Sequence, residues 1–234
     1  MTYKILQWNC SGNKEYNKDY LLQRLKDVDI VLFQRCPNSF LEILKDKFQN
    51  VFHKNHSKET SLVFANNFDF KKHYSIEQNF YELPTVDLAK KSNDSAQGSH
   101  ALSITFDNLQ IIVFLSAYSN KYDNVDITNQ DTYNDINYIF KNIITNQNCI
   151  VAGDVHCPPN QNNEIETLIS NYNFKNNANN LITFALKKHN DLYAFNLDRV
   201  LTRGNVNVSN LESYARPQDG GGHWAFTYTM EINQ

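Results

Sequence analysis

The sequence predicts an α/β protein with mixed sheets. Three observations carry this. Near-continuous apolar runs such as "DIVLFQ" (29–34) and "CIVAGD" (149–154) read as strands covered on both faces. Segments with apolar residues at helical spacing stand between such runs. At least one pair of strand signals meets at a short turn, so hairpins are present alongside crossovers and the sheets are not purely parallel.

Taken in order, "YKILQWN" (3–9) reads as a strand, and residues 16–28 place Leu21, Leu22, Leu25 and Val28 on one helical face. After the strand 29–34, "NSFLEILKDKF" (38–48) reads as a helix capped by Asn38 or Ser39. Shorter strands are expected around 50–54, 61–66 and 70–76, and 84–99 reads as a mobile, turn-rich loop. "ALSITFD" and "LQIIVFLSA" form a hairpin about "DNL". Residues 129–146 carry Tyr133, Ile136, Ile139, Phe140 and Ile143 at helical spacing. The strand "CIVAGD", a helix near 163–172, and strands in "LITFA", "AFNLDRVLT" and "HWAFTYTMEI" complete the chain.

The 234 residues fit one domain over 1–234 with a substantial core. Hydrophobic residues at 41% and charged residues at 20% are ordinary for a globular chain. A formal net charge of -3 means that a nucleic-acid partner needs a local basic patch. "MTYKILQWN" lacks the basic start of a signal peptide, and the apolar run around "LQIIVFLSAY" is too short for a bilayer. The expectation is a cytoplasmic or intracellular protein with no membrane association. The four cysteines, Cys10, Cys36, Cys149 and Cys157, form no CxxC and are expected as reduced thiols.

Chemistry-bearing residues fall at strand ends, where α/β enzymes assemble their sites. They are Asn9 after "LQW", Gln34 and Arg35 after "DIVLF", Tyr118 after "FLSA", Asp154 and His156 after "IVAG", Asp198 within "NLDRVL", and His223 at the start of the last strand. The ordered series "ILQWNCSG … DIVLFQRC … LSAYSN … IVAGDVH … NLDRVL … GGHWAFTYTMEI" resembles the endonuclease/exonuclease/phosphatase superfamily, whose fold is DNase I-like. The resemblance covers nearly the whole chain. It implies a four-layer α/β sandwich with two packed mixed sheets, a phosphoester substrate, and Mg²⁺ in active members.

Residue by residue, the resemblance assigns Asn9 to contact with metal-bound phosphate and Tyr118 to the scissile phosphate. It assigns Asp154, of the G-D-F-N motif, to the attacking water. Asp198 takes the place beside the leaving group, and His223 the histidine of S-D-H. Three positions depart from the pattern. Arg35 stands for the metal-binding glutamate, His156 for the asparagine of G-D-F-N, and Gly222 for the aspartate beside the histidine, which leaves His223 without an orienting partner next to it. Mg²⁺ needs oxygen ligands. Exchanging a carboxylate for a guanidinium moves the local charge by about two units, at several kcal/mol per close pair.

Arg35 then either pairs with Asp154 or Asp198 in a salt bridge or binds phosphate. Arg199 is a second substrate-binding candidate, with a solvated surface position as its alternative. Trp8 and Trp224 are expected in the core beside the site. A zinc site from Cys10, Cys36 and Cys157 is disfavoured, because strand neighbours of site residues point away from it.

Three functions stay open. One is a nuclease-like phosphodiesterase with a degraded metal site. Another is a non-catalytic module that binds nucleic acid or protein. The third is a metal-independent ribonuclease using His156, His223 and Arg35.

Overall fold

In the computed structural model, the described residues are 1–10, 18–55, 60–69, 76–85, 99–116, 125–156, 163–188, 191–215 and 222–233. The N-terminal half runs β1 (Thr2–Asn9), α1 (Lys18–Arg24), β2 (Ile30–Pro37), α2 (Asn38–Lys47), β3 (Asn50–Asn55), β4 (Thr60–Asn66) and β5 (Ile76–Glu82). The hairpin β6 (His100–Phe106) and β7 (Leu109–Leu115) follows. Next comes α3 (Val125–Tyr138), which continues into a wide π-helical turn, Ile139–Ile143. The C-terminal half holds β8 (Asn148–Asp154), α4 (Asn163–Asn171), β9 (Lys175–Asn176), β10 (Phe184–Lys188) and β11 (Asp191–Phe195). It ends with β12 (Asp198–Arg203), β13 (Val206–Tyr214), β14 (Gly222–His223) and β15 (Ala225–Ile232).

Two six-stranded sheets form, ordered β13-β15-β1-β2-β4-β3 and β5-β6-β7-β8-β12-β9, with a small sheet β11-β10-β14. Both large sheets are mixed. β1–β2 and β7–β8 are parallel, and the other pairs within them are antiparallel. Alternate residues of each strand face the other sheet. Ile5, Ile30, Leu32, Leu62 and Phe64 of the first pack against Leu102, Ile111, Val113, Ile150 and Val200 of the second. Each such fully buried side chain stabilises the fold by about 1.5–3 kcal/mol before entropy is counted. The opposite faces carry the helices. Leu21, Leu25, Phe40 and Leu44 of the α1–α2 region cover Leu6, Trp8 and Phe33. Ile136, Ile139, Phe140, Ile165 and Leu168 cover Ile112, Phe114 and Val151. The result is helix, sheet, sheet, helix: the four layers that the sequence motifs imply.

Several local expectations need correction. α2 starts directly after Pro37, which occupies the cap position at φ -63 and ψ 150, and no side chain caps it. Asn38 and Ser39 are already helical. The strand expected at 70–76 lies outside the described residues except for Ile76, which opens a strand that runs to Glu82. Most of the loop expected at 84–99 also lies outside it. β13 has no counterpart in the sequence reading. It is a polar edge strand whose register against β15 shifts between Ser209 and Glu212, with Asn210 at φ 53, so apolar alternation is lost. Among the described residues, no helix is long and apolar enough to cross a membrane.

Candidate active site

Asp154 closes β8 and Asp198 opens β12, and the two are direct partners across that antiparallel pair. Partners in register share a face. Leu115, in register with Asp154 on β7, belongs to the core between the sheets, so both carboxylates point inward. Asn9, at the end of β1 on the facing sheet, meets them: its Nδ2 donates to Asp154 Oδ2 at 2.8 Å. Trp8 and Cys10 point the other way, into the outer core. The β7–β8 approach is close because residue 153 is glycine. A Cβ there would collide with the Phe114 carbonyl oxygen and ring.

The chain turns sharply after Asp154. His156 adopts the left-handed conformation at φ 52, one that His and Asn accept more readily than most residues. Its backbone N–H donates to Asp154 Oδ1 at 2.8 Å, and its ring folds back to place Nε2 3.0 Å from Asp154 Oδ2. Behind the ring, Nδ1 lies 3.2 Å from Ser116 Oγ, and that hydroxyl donates to the Asp154 carbonyl at 3.0 Å. The hydroxyl proton is thereby committed, so Nδ1–H donates to Ser116. In neutral His156 the proton-accepting nitrogen is then Nε2, which faces Asp154 Oδ2 and gains a favourable contact there only on protonation.

His223 is carried by β14, where it pairs with Phe184, and not by the last long strand. Its carbonyl accepts from Trp8 Nε1 at 3.2 Å. Its ring stands between two carboxylates, with Nε2 3.3 Å from Asp154 Oδ2 and Nδ1 3.1 Å from Asp198 Oδ2. The absence of an aspartate at 222 therefore does not leave the ring unoriented. Asp198, 25 positions upstream, does the orienting, and it is fixed in turn by donation from its backbone N–H to Thr183 Oγ1 at 3.0 Å.

These contacts set the protonation states in opposite directions. Burial alone would lower the pKa of His223, but Asp154 and Asp198 together raise it, favouring the imidazolium. Burial lowers His156, and the charges of His223 and Arg35 add to this against the attraction of Asp154. Burial pushes Asp154 up, yet the two histidines, the His156 N–H and the Asn9 amide hold it below the ordinary range. Asp198 is raised, with burial outweighing His223.

Arg35 lies in a bulge of β2. The register of β2 against β4 slips between Phe33 and Cys36, and Arg35 sits at φ 49. Phe33 and Cys36 both bury in the outer core, which leaves Gln34 and Arg35 for the inner side. The close side-chain contacts of Asp154 and Asp198 with basic groups among the described residues run to the rings of His156 and His223. Arg35 contributes a positive charge felt by both rings.

Arg199 lies outside the cluster. Strand alternation turns it to the opposite face of β12, where it is only 1% exposed, so it is not solvated. Its guanidinium bonds Asn196 Oδ1 at 2.7 Å and faces Glu166 at 3.6 Å. Trp224 is half-buried, unlike Trp8 in the core. Tyr118 and Cys157 lie outside the described residues. Ser116 and Thr183 were not read as site residues; the only signal for Ser116 was a hydroxyl ending an apolar run just before "AYSN".

Asp154, Asp198 and His223 bring donor atoms within 4.8 Å of one another, the spacing of a metal centre. The donors do not fit Mg²⁺. Both oxygens of Asp154 and one of Asp198 are already engaged by N–H groups or imidazoles, leaving Asp198 Oδ1 as the carboxylate oxygen of the cluster without a partner among the described residues. His223 stands between the two carboxylates and offsets part of their charge.

Neither a protein-family model nor a curated protein sequence matches the chain. Solved structures do. An endonuclease/exonuclease/phosphatase from Bacteroides vulgatus superposes with a TM-score of 0.69 at 14% identity, over 100% of both chains. TDP2 of D. rerio, in complex with single-strand DNA product, gives 0.66 at 15% identity over 99% of both. The human Nocturnin catalytic domain, with bound sulfate, gives 0.65 at 13% identity, covering 99% of this chain and 94% of that one. At such identities the likeness establishes architecture: the chain has the DNase I-like α/β fold of endonuclease/exonuclease/phosphatase proteins.

Proposed function

We propose that the chain cleaves a phosphodiester, RNA being the substrate class, by histidine acid–base chemistry that needs no divalent metal. One observation carries this reading. His156 and His223 converge on the same oxygen of Asp154, at 3.0 and 3.3 Å, with their other ring nitrogens held by Ser116 and Asp198. Their protonation preferences are opposite, which is what an acid and a base require at one pH. TDP2, a protein of the same fold, binds single-strand DNA, which supports a nucleic-acid substrate.

The step follows. Neutral His156 takes the proton of a ribose 2′-OH at Nε2, and Asp154 Oδ2 stabilises the imidazolium that forms. The 2′-oxygen attacks phosphorus as the P–O5′ bond breaks. His223 delivers its Nε2 proton to the departing 5′-oxygen. Arg35 and the Asn9 amide stabilise the charge that builds on the phosphoryl oxygens. The products are a 2′,3′-cyclic phosphate and a 5′-hydroxyl, with the two histidines left in exchanged protonation states. His156→Ala and His223→Ala each lower the rate by about two to four orders of magnitude, and the wild-type pH profile is bell-shaped. A profile flat across neutrality, or full activity in either variant, rejects the mechanism.

A second reading has its own support. Asp154 is fully buried and the rings of His156 and His223 are 8% and 7% exposed, each satisfied by the others. Such a closed network suits a non-catalytic module that keeps the fold to bind nucleic acid or protein. Hydrolysis of labelled RNA and DNA with Mg²⁺, Mn²⁺ and EDTA in parallel separates the two, because the module cuts nothing under any condition.

A further inference from the structure

Gln34 stands outside the network just described, although it sits in its midst. Its side chain is fully buried, and neither its Oε1 nor its Nε2 has a hydrogen-bond partner among the described residues. Buried amides are almost always satisfied, so an interior glutamine with both ends unmet calls for a ligand. Its placement says which one. Gln34 is the in-register partner of Asn9 in the parallel pair β1–β2, and its carbonyl accepts from the Cys10 N–H at 2.8 Å. Parallel neighbours in register share a face, so the Gln34 and Asn9 amides stand side by side toward the carboxylate–histidine cluster. The bulge in β2 places Arg35 directly after Gln34, and its positive charge acts on both histidine rings.

An amide beside a guanidinium is a donor next to a positive charge, and together they match a phosphoryl oxygen. The other end of the amide is an acceptor, which matches a hydroxyl. We infer that Gln34 is a substrate-contacting residue: its Nε2 holds a non-bridging phosphoryl oxygen next to Arg35, and its Oε1 receives a hydroxyl of the same substrate. A phosphoester flanked by a free hydroxyl satisfies both ends, as water alone would do without selectivity. The inference rests on the phosphoester reading of the site and adds a specificity residue to it.

The test uses Gln34→Met and Gln34→Glu in the full chain, with inorganic phosphate as the probe in isothermal titration and a thermal melt of each protein. Methionine matches glutamine in length but has no amide. Gln34→Met therefore binds phosphate about 10- to 100-fold more weakly than wild type, the loss expected for a hydrogen bond to a charged group. It also melts at a higher temperature, because an unmet buried amide has been removed. Gln34→Glu sets a carboxylate against the anion and abolishes binding. Wild-type binding that is unchanged in Gln34→Met overturns the role of Gln34 and leaves the phosphoester reading standing. A lower melting temperature for Gln34→Met marks a structural amide and overturns it too. Failure of the wild type itself to bind phosphate sinks the phosphoester reading, and the inference with it.

Discussion

Asp198 Oδ2 lies 3.1 Å from His223 Nδ1, on the ring nitrogen opposite the one that faces Asp154. A histidine gripped from both ends by carboxylates is held as the imidazolium and in one orientation. Asp198→Asn removes one of the two charges that raise its pKa. The His223 pKa should fall in this variant, as read by NMR of the imidazole carbon-bound proton. Cleavage should slow by about two to four orders of magnitude. A rate loss with no change in the His223 titration contradicts the orienting role.

The two histidines should leave opposite marks on stability. His156 is lowered from its ordinary 6.5 in the folded chain, so below that value the unfolded state binds more protons and stability falls with falling pH. His223 is raised, so its contribution is fully present below 6.5 and is lost as pH rises through its folded value. Urea melts across pH should therefore show His156→Asn losing part of the acid-side destabilisation and His223→Asn losing part of the alkaline-side loss. Identical pH profiles for both variants and wild type contradict these assignments.

Arg35 bears on metal directly. Wild-type protein should bind Mg²⁺ weakly, because Arg35 brings a positive charge that acts on the cluster rings and offers no oxygen ligand. Arg35→Glu should strengthen Mg²⁺ binding by replacing a positive charge with an oxygen ligand. Tight wild-type binding in isothermal titration, unmoved by the substitution, overturns the assignment.

Gly153→Ala tests the scaffold beneath the cluster. The new methyl meets the backbone oxygen and ring of Phe114, and backbone in a central strand yields little. Overpacking of this kind costs about 1–3 kcal/mol, which lowers Tm by several degrees in a chain of this size. A Tm equal to wild type would mean that β7 and β8 are less closely apposed than described.

Much of this was legible in the sequence, for identifiable reasons. Strands buried on both faces leave unbroken apolar runs, so β1, β2, β7 and β8 were readable, and Asn9 and Asp154 mark their ends. His223 was legible as a candidate, but its partner was not. The S-D-H pattern places an aspartate at 222, whereas the sheets bring Asp198 of β12 to the ring. Ser116 and Asp154 meet only because β7 and β8 are parallel neighbours, a pairing that no local pattern records. Arg199 lies apart from the cluster because strand alternation sends it and Asp198 to opposite faces of β12. Edge strand β13 was lost because its exposed positions are polar and its bulge breaks the alternation.

The central claim, metal-free cleavage through the 2′-OH, is tested most directly with one substrate pair in EDTA. A ribodinucleotide and its 2′-deoxy analogue are incubated with the wild-type chain and the products identified by mass spectrometry. The ribodinucleotide should yield a 2′,3′-cyclic phosphate, and the deoxy analogue should not be cleaved. Cleavage of the deoxy analogue at a comparable rate, or cleavage of the ribodinucleotide only when a divalent metal is restored, contradicts it.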